Sequence, residues 1–242
     1  MTILCIETST SVCSAAVCRD GLPAEQCICR EGSNHARLLP CYVEQLLQFV
    51  RQHNWTLDAV ALSEGPGSYT GLRIGTSTAK GLCYGLNVPL IPLPTLEVLC
   101  EAARKQAVNQ HLEISNGILC PMIDARRMEV YTALYSSGRY AESTEQTRAV
   151  VVENEESVIA GNQETIADSQ VYYFGDGAAK CQNVLTRPEW HYIPDIVPEA
   201  QYMGQLAEQA GRQKLTANRI AYYEPYYLKE FIAAQSHVKG LV

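Results

Sequence analysis

The run Glu64-Gly-Pro-Gly-Ser-Tyr-Thr-Gly-Leu-Arg-Ile-Gly75 joins a short apolar stretch, residues 58–63, to a segment of helical periodicity. The stretch reads as a buried strand, and the three glycines and proline after it permit backbone angles closed to residues with a Cβ. The spacing predicts a helix from near Thr70, with Ser68 or Thr70 supplying the N-cap oxygen. Leu72, Gly75, Ala79, Leu82, Cys83 and Leu86 then share one face. Gly71 and Gly75, and again Gly81 and Gly85, lie four apart. A glycine inside a helix costs about 1 kcal/mol relative to alanine, so a compensating contact is expected, with close approach of a second backbone the leading candidate. A tight turn and packing within the same domain are the plainer alternatives. The junction also has the outline of a phosphate cradle, since a helix N-terminus offers free amides. The spelling does not match: Leu72 and Arg73 follow Gly71 where a P-loop needs Lys and Ser or Thr, and Gly65-Pro66-Gly67 runs on to Thr70 and Gly71 rather than completing GxGxxG.

Outward from this junction, residues 3–7, 12–18 and 23–30 read as three strands, with Arg19, Asp20 and Gly21 making the hairpin between the last two. Thr8, Ser9 and Thr10 after the first strand are ordinary turn formers. Leu38, Leu39, Tyr42, Val43, Leu46, Leu47 and Val50 predict a helix from near Arg37 to Arg51, with Pro40 in its first turn and His35 just ahead of it. Residues 88–94 are extended, and Thr95 opens a helix with Leu96, Val98, Leu99, Ala102 and Ala103 inside. The polar residues 105–116 mark a boundary between domains 1–107 and 108–242. Beyond it, residues 117–123, 129–135 and 147–152 read as strands, with turns at 124–127 and 136–139. A strand at 171–174, the loop Gly175-Asp176-Gly177 and a helix from 178 to about 185 repeat the order of the first half. A last helix is predicted over 198–214. The tail, 216–242, is rich in tyrosine and is expected to pack back on the first domain.

Of the 242 residues, 47% are hydrophobic and 19% charged, which suits a folded core and not a disordered chain. The net charge is −7, and Lys and Arg never cluster beyond pairs such as Arg104-Lys105 and Arg126-Arg127. Such a surface carries no nucleic-acid stripe, so contact with nucleic acid is expected only through a partner. The opening Met-Thr-Ile-Leu-Cys reads as strand rather than signal peptide, and no apolar run nears the roughly 20 residues that span a bilayer, so a cytoplasmic chain without membrane contact is expected. Ten cysteines sit mostly among apolar neighbours and are expected to be reduced core residues. Cys27 and Cys29 are too close for a CxxC pair and the histidines are scattered, so no metal site is expected. GxSxG, HExxH and HxxxH are absent, and Glu155 and Glu156 are expected to be exposed, so no catalytic residue is assigned.

The run GPGSYTGLRIG resembles the TsaB (formerly YeaZ) family, together with ILCIETSTSVCSAAV at 3–17, HARLLP at 35–40 and MIDARRMEVYTALY at 122–135. The resemblance implies an α/β chain of two ASKHA (actin/Hsp70/sugar-kinase-like) domains, with mixed five-stranded-type sheets and flanking helices. It implies a non-catalytic scaffold that binds TsaD, joined by the ATPase TsaE, in forming N6-threonylcarbamoyladenosine in tRNAs reading codons that begin with adenine. Glu7 and Tyr69 depart from the family's usual Asp and Phe. Where TsaD carries a metal-binding His-x-x-x-His, this chain reads Pro94-Thr-Leu-Glu-Val98. Gly65, Pro66, Gly67, Ser68, Tyr69, Thr70, Gly71, Arg73, Gly75 and Ala79 are expected to meet TsaD, or a second copy in a homodimer when the chain is alone. Glu7, Thr8, Ser9, Gly175, Asp176 and Gly177 are expected as vestigial nucleotide contacts, with no cofactor on the isolated chain and ATP only in the complex. On this reading Gly75→Leu spares the fold and abolishes TsaD binding. The alternative is an enzyme, either a nucleotide-binding phosphotransferase or an M22-type metallopeptidase-like protein.

Overall fold

The computed structural model describes residues 1–32, 34–109, 113–114, 116–137, 146–159, 169–210 and 216–229. The chain opens with an antiparallel meander of β1 (Thr2–Glu7), β2 (Cys13–Arg19) and β3 (Leu22–Cys29). After α1 (His35–Gln52), β4 (Ala59–Gly65) pairs parallel with β1, and after α2 (Tyr69–Leu86), β5 (Leu90–Pro94) pairs parallel with β4. The sheet order is β3-β2-β1-β4-β5. Parallel neighbours need crossover connections, and α1 and α2 supply them. β1 is buried along its whole length. Its period-two alternation sends Leu4 and Ile6 to the face covered by α1 and α2, and Ile3 and Cys5 to the opposite face.

Between the sheets runs α3 (Thr95–Asn109), apolar on more than one side. Val98 packs on the first sheet, while Leu96, Leu99 and Ala103 pack with Leu119, Phe174 and Ile193 of the second. The second sheet consists of β6 (Ile118–Asp124), β7 (Glu129–Thr132), β8 (Tyr135–Ser136), β9 (Arg148–Val151), β10 (Val171–Phe174) and β11 (Trp190–Ile193). β7 and β8 pair antiparallel with the two ends of β6 in one unbroken register, Asp124 opposite Val130 through Ile118 opposite Ser136. Counted as one interrupted strand, they give the order β9-β7/β8-β6-β10-β11. Its strand senses repeat those of the first sheet position by position. Six strands thus fill the expected five places.

Several local expectations change. The segment predicted as helix over 178–185 contains only a 3₁₀ turn, Ala179–Cys181, and the one predicted from 198 is a 3₁₀ turn, Ala200–Tyr202, leading into α5 (Met203–Gln209). Residues 211–214 of that prediction, Gly138 and Arg139 of the predicted turn, and residues 110–112 and 115 lie outside the described residues. Glu155, expected on the surface, opens the short α4 (Glu155–Ile159) and is buried. Its carboxylate accepts the Thr186 and Arg187 amides at 2.5 and 2.9 Å, which holds the loop before β11. His35 is buried too, with Nε2 3.2 Å from the Val12 carbonyl, and so packs rather than ligates. Eight of the ten cysteines are buried.

The expected division at residue 107 meets a chain that turns back. Ala200, Met203 and Ala207 lie against Ile3, Cys5, Ala16 and Ile91 on the outer face of the first sheet. Ile220, at the end of α6 (Ala217–Ile220), joins the first core, and Tyr223 packs on it. Glu199, 1% exposed, latches this return. It accepts Arg30 Nη2 at 2.7 Å, Gln26 Nε2 at 3.2 Å and Gln201 Nε2 at 2.6 Å, while Ala200 N–H donates to Ser14 Oγ at 2.9 Å. Residues 199–210 therefore pack chiefly with the first sheet, and Tyr202 also reaches the cluster between α3 and the second.

Candidate functional site

Ser68 caps α2, its Oγ accepting the Gly71 amide at 3.3 Å, and the first turn of the helix presses on the β1–β2 turn. Thr8 Oγ1 donates to the Gly71 carbonyl at 2.9 Å, and the Ser68 amide donates to the Ser9 carbonyl at 2.6 Å. A Cβ on Gly67 would fall well inside 3.0 Å of the Ser9 carbonyl oxygen, one on Gly71 equally close to that of Thr8, and one on Gly75 equally close to Thr8 Oγ1. The close approach that the helical glycines called for is present, but it is made within the chain. Gly65, Pro66, Gly71, Gly75 and Ala79, expected at an interface, are buried and face inward. Ser68, Thr70 and Arg73 are exposed, and Gly67 and Tyr69 half-buried. The Arg73 guanidinium lies 4.1 Å over the Tyr69 ring, and Tyr227 leans on that ring with centroids 5.0 Å apart.

The same packing closes on the first turn. Thr8, Ser9 and Thr10 are buried. The Ser9 amide and hydroxyl both donate to Glu7 Oε1, at 2.6 and 2.5 Å, so the donors that would hold an anion are consumed. In the second loop, Gly177 N–H donates to the Met122 carbonyl at 3.0 Å, and Asp176 Oδ1 accepts the Asp124 amide at 3.0 Å. Gly175 (φ +109) has no space for a Cβ against Met122. Glu7, Thr8, Ser9, Gly175, Asp176 and Gly177, expected as vestigial nucleotide contacts, are engaged within the chain. Both loops instead pin the ends of their own sheets.

Glu7 is fully buried and its Oε2 has no hydrogen-bond partner. Burial pushes its carboxyl pKa above the ordinary 4.5, against the hydrogen bonds from Ser9 that favour the anion. Raised in the fold, the group stabilises the fold most at low pH, and that contribution is lost as pH climbs from about 4.5 through the raised value. Glu7→Gln, which cannot ionise, is therefore expected to melt increasingly above the native chain as pH rises through this window. Thermal midpoints of both proteins from acid to neutral pH measure the gap, and a gap that does not change with pH refutes the claim.

A second carboxylate pair was not singled out in the sequence, where both members look like ordinary acids. Glu97, in the first turn of α3, is pushed up to about 7 by burial and by the neighbouring Glu64, itself raised by burial. Tyr226 N–H closes over this corner, donating to the Glu64 carbonyl at 2.8 Å. Among the described residues no three His, Cys, Asp or Glu side chains gather to hold a metal ion, and no helix is long and apolar enough to cross a membrane.

The remaining feature is on the outside of α2. Gly81 and Gly85 are exposed, and a Cβ at either would meet nothing within 4 Å. Gly81 borders a groove of about 490 Å³ between α1 and α2, lined also by Leu47, Gln48, Ser77 and Leu82. Tyr84, 89% exposed, stands at its end of the helix.

Two topologically repeated mixed sheets sharing a central helix, each with a glycine loop closed on its own strands, define a two-domain α/β protein of the ASKHA type. The family model described as "TsaD: tRNA N6-adenosine threonylcarbamoyltransferase" matches residues 31–234. The tRNA threonylcarbamoyladenosine biosynthesis protein TsaB of Haemophilus influenzae is 29% identical over 95% of this chain and 94% of its own length. That of Bacillus subtilis is 36% identical over 56% of this chain, and the match spans 55% of its length, about half. A Pseudomonas aeruginosa structure described as similar to peptidase YeaZ superposes with a TM-score of 0.75 at 23% identity, covering 94% of this chain and 99% of that one. The chain belongs to this family, in its TsaB (YeaZ) group.

Proposed function

We propose that the chain is a non-catalytic subunit in the formation of N6-threonylcarbamoyladenosine in tRNAs reading codons that begin with adenine. It carries a TsaD-type catalytic subunit on the outer face of α2, and a TsaE-type ATPase joins the assembly. The chain acts in the cytoplasm, meets tRNA only in that complex, and pairs with a second copy of itself when the partner is absent. The observation that carries this reading is the Gly81/Gly85 pair. Two exposed glycines inside a helix cost about 1 kcal/mol each, and among the described residues no contact explains them. A helix of a related chain laid beside α1 and α2 would use them to come nearer than the usual 8 to 10 Å. The enzyme alternative is disfavoured by the first turn, whose buried donors are already engaged.

Gly81→Leu is the test. The new side chain enters open space and raises helix propensity, so the thermal midpoint is expected to stay or rise. Affinity for the TsaD-type subunit is expected to fall at least a hundredfold, about 3 kcal/mol. Calorimetric titration of the two purified proteins measures it. Native affinity in the leucine variant refutes this docking face.

A further inference from the structure

β6 and β7 are joined through Arg126 and Arg127, and both arginines have left-handed backbone, φ +70 and φ +50. Positive φ at two successive residues is a conformation that asparagine, aspartate and glycine adopt with least strain. The turn is locked by hydrogen bonds that involve no guanidinium. Arg126 N–H donates to Asp124 Oδ1, Glu129 N–H to the Arg126 carbonyl and Ala125 N–H to the Glu129 carbonyl, each at 3.1 Å. Beneath it, Gly177 has no space for a Cβ against Ile123 and Asp124. Both arginines are exposed, and among the described residues neither guanidinium has a hydrogen-bonded or ion-paired partner. The flanking carboxylates are already matched: Asp124 pairs with Lys180, and Glu129 with Lys229. Two positive charges are left uncompensated on a rigid tip, in a chain of net charge −7.

We propose that the Arg126–Arg127 turn binds a phosphate group and, resting on the functional reading above, that it clamps a backbone phosphate of the tRNA in the assembly. Folding alone selects against arginine at both positions. A guanidinium fork matches phosphate oxygens bidentately, and a locked hairpin fixes the two backbone positions from which the forks reach before the ligand arrives. One such clamp positions an RNA without reading its sequence, which suits a surface with no basic stripe.

The test is Arg126→Asn combined with Arg127→Gly, residues at home in positive φ, so the thermal midpoint is expected to equal or exceed that of the native chain. Binding of tRNA to the full chain assembled with its TsaD-type partner is followed by fluorescence anisotropy from about 50 to 300 mM salt. Affinity at low salt is expected to fall about tenfold for each arginine, and the log–log salt slope to become shallower by about 1 to 2. ATP binding to the same assembly is expected to be unchanged. Native tRNA affinity and slope in the double variant overturn the proposal. Weakened ATP binding with native tRNA binding overturns the RNA assignment in favour of a free nucleotide. Failure of the variant to assemble with its partner overturns it in favour of a protein carboxylate. A native assembly that takes up no tRNA overturns the functional reading and this inference together.

Discussion

Gly71→Ala is expected to lower stability by about 3 kcal/mol or more, a change of one methyl group on a helix that otherwise favours alanine. Overpacking a well-fitted site costs about 1 to 3 kcal/mol, and more where backbone has to move. Here the obstacle is backbone, because the methyl would meet the Thr8 carbonyl. That turn is itself tied down by Ser9 to Glu7 and by the Ser68 amide. At about 2 to 4 °C per kcal/mol for a chain of this size, the thermal midpoint should fall by roughly 6 to 12 °C. Gly75→Leu should behave likewise, since Thr8 Oγ1 and Leu62 Cδ1 occupy the space a side chain needs. That reverses the sequence expectation that it spares the fold. Gly81→Ala, in open space, is the control and should gain up to about 1 kcal/mol. Calorimetric melting of the three variants decides it: a Gly71→Ala chain that melts with the native protein contradicts the packing described.

Glu199→Ala is expected to cost about 2 to 4 kcal/mol and to loosen a whole segment rather than a side chain. The carboxylate is 1% exposed and accepts from Arg30, Gln26 and Gln201, so its removal strands donors in and just after β3 and in the 3₁₀ turn. Breaking a fully buried ion pair costs about 3 to 5 kcal/mol, but Arg30 is 62% exposed and water recovers part of its hydration, which places the effect at the lower end. Urea unfolding measures the loss. Limited proteolysis locates it, with new cleavage expected near residues 194–200. A variant as stable as the native chain and cut at the same sites would show that the latch is dispensable.

Long periodic segments were legible in the sequence, and short ones were not. The meander, α1, α2 and α3 all lie within a few residues of their predicted places, because each repeats its apolar spacing several times. β11 and α4 offer only four or five residues among polar neighbours, too few for a period to register. The glycine spacing of α2 announced a close approach but not its direction. At 100° per residue, Gly71 and Gly81 lie about 80° apart around the axis, while Gly85 returns to within about 40° of Gly71 but lies about 20 Å further along the helix, past the β1–β2 turn. The partner of Gly71 and Gly75, Thr8, is too distant in sequence for spacing to reveal. The latch at Glu199 escaped for the same reason, since nothing near it in the chain identifies Arg30.

The return of residues 199–210 to the first sheet has a consequence for synthesis on the ribosome. Ile3, Cys5 and Ala16 are translated long before part of their cover, Met203 and Ala207. At about 5 to 20 residues per second, the intervening stretch takes roughly 10 to 40 seconds to translate. In the later part of that interval, once β5 is made, a nascent chain holding all five strands of the first sheet exposes one greasy side, which makes it a client for holdase chaperones until the closing helix emerges.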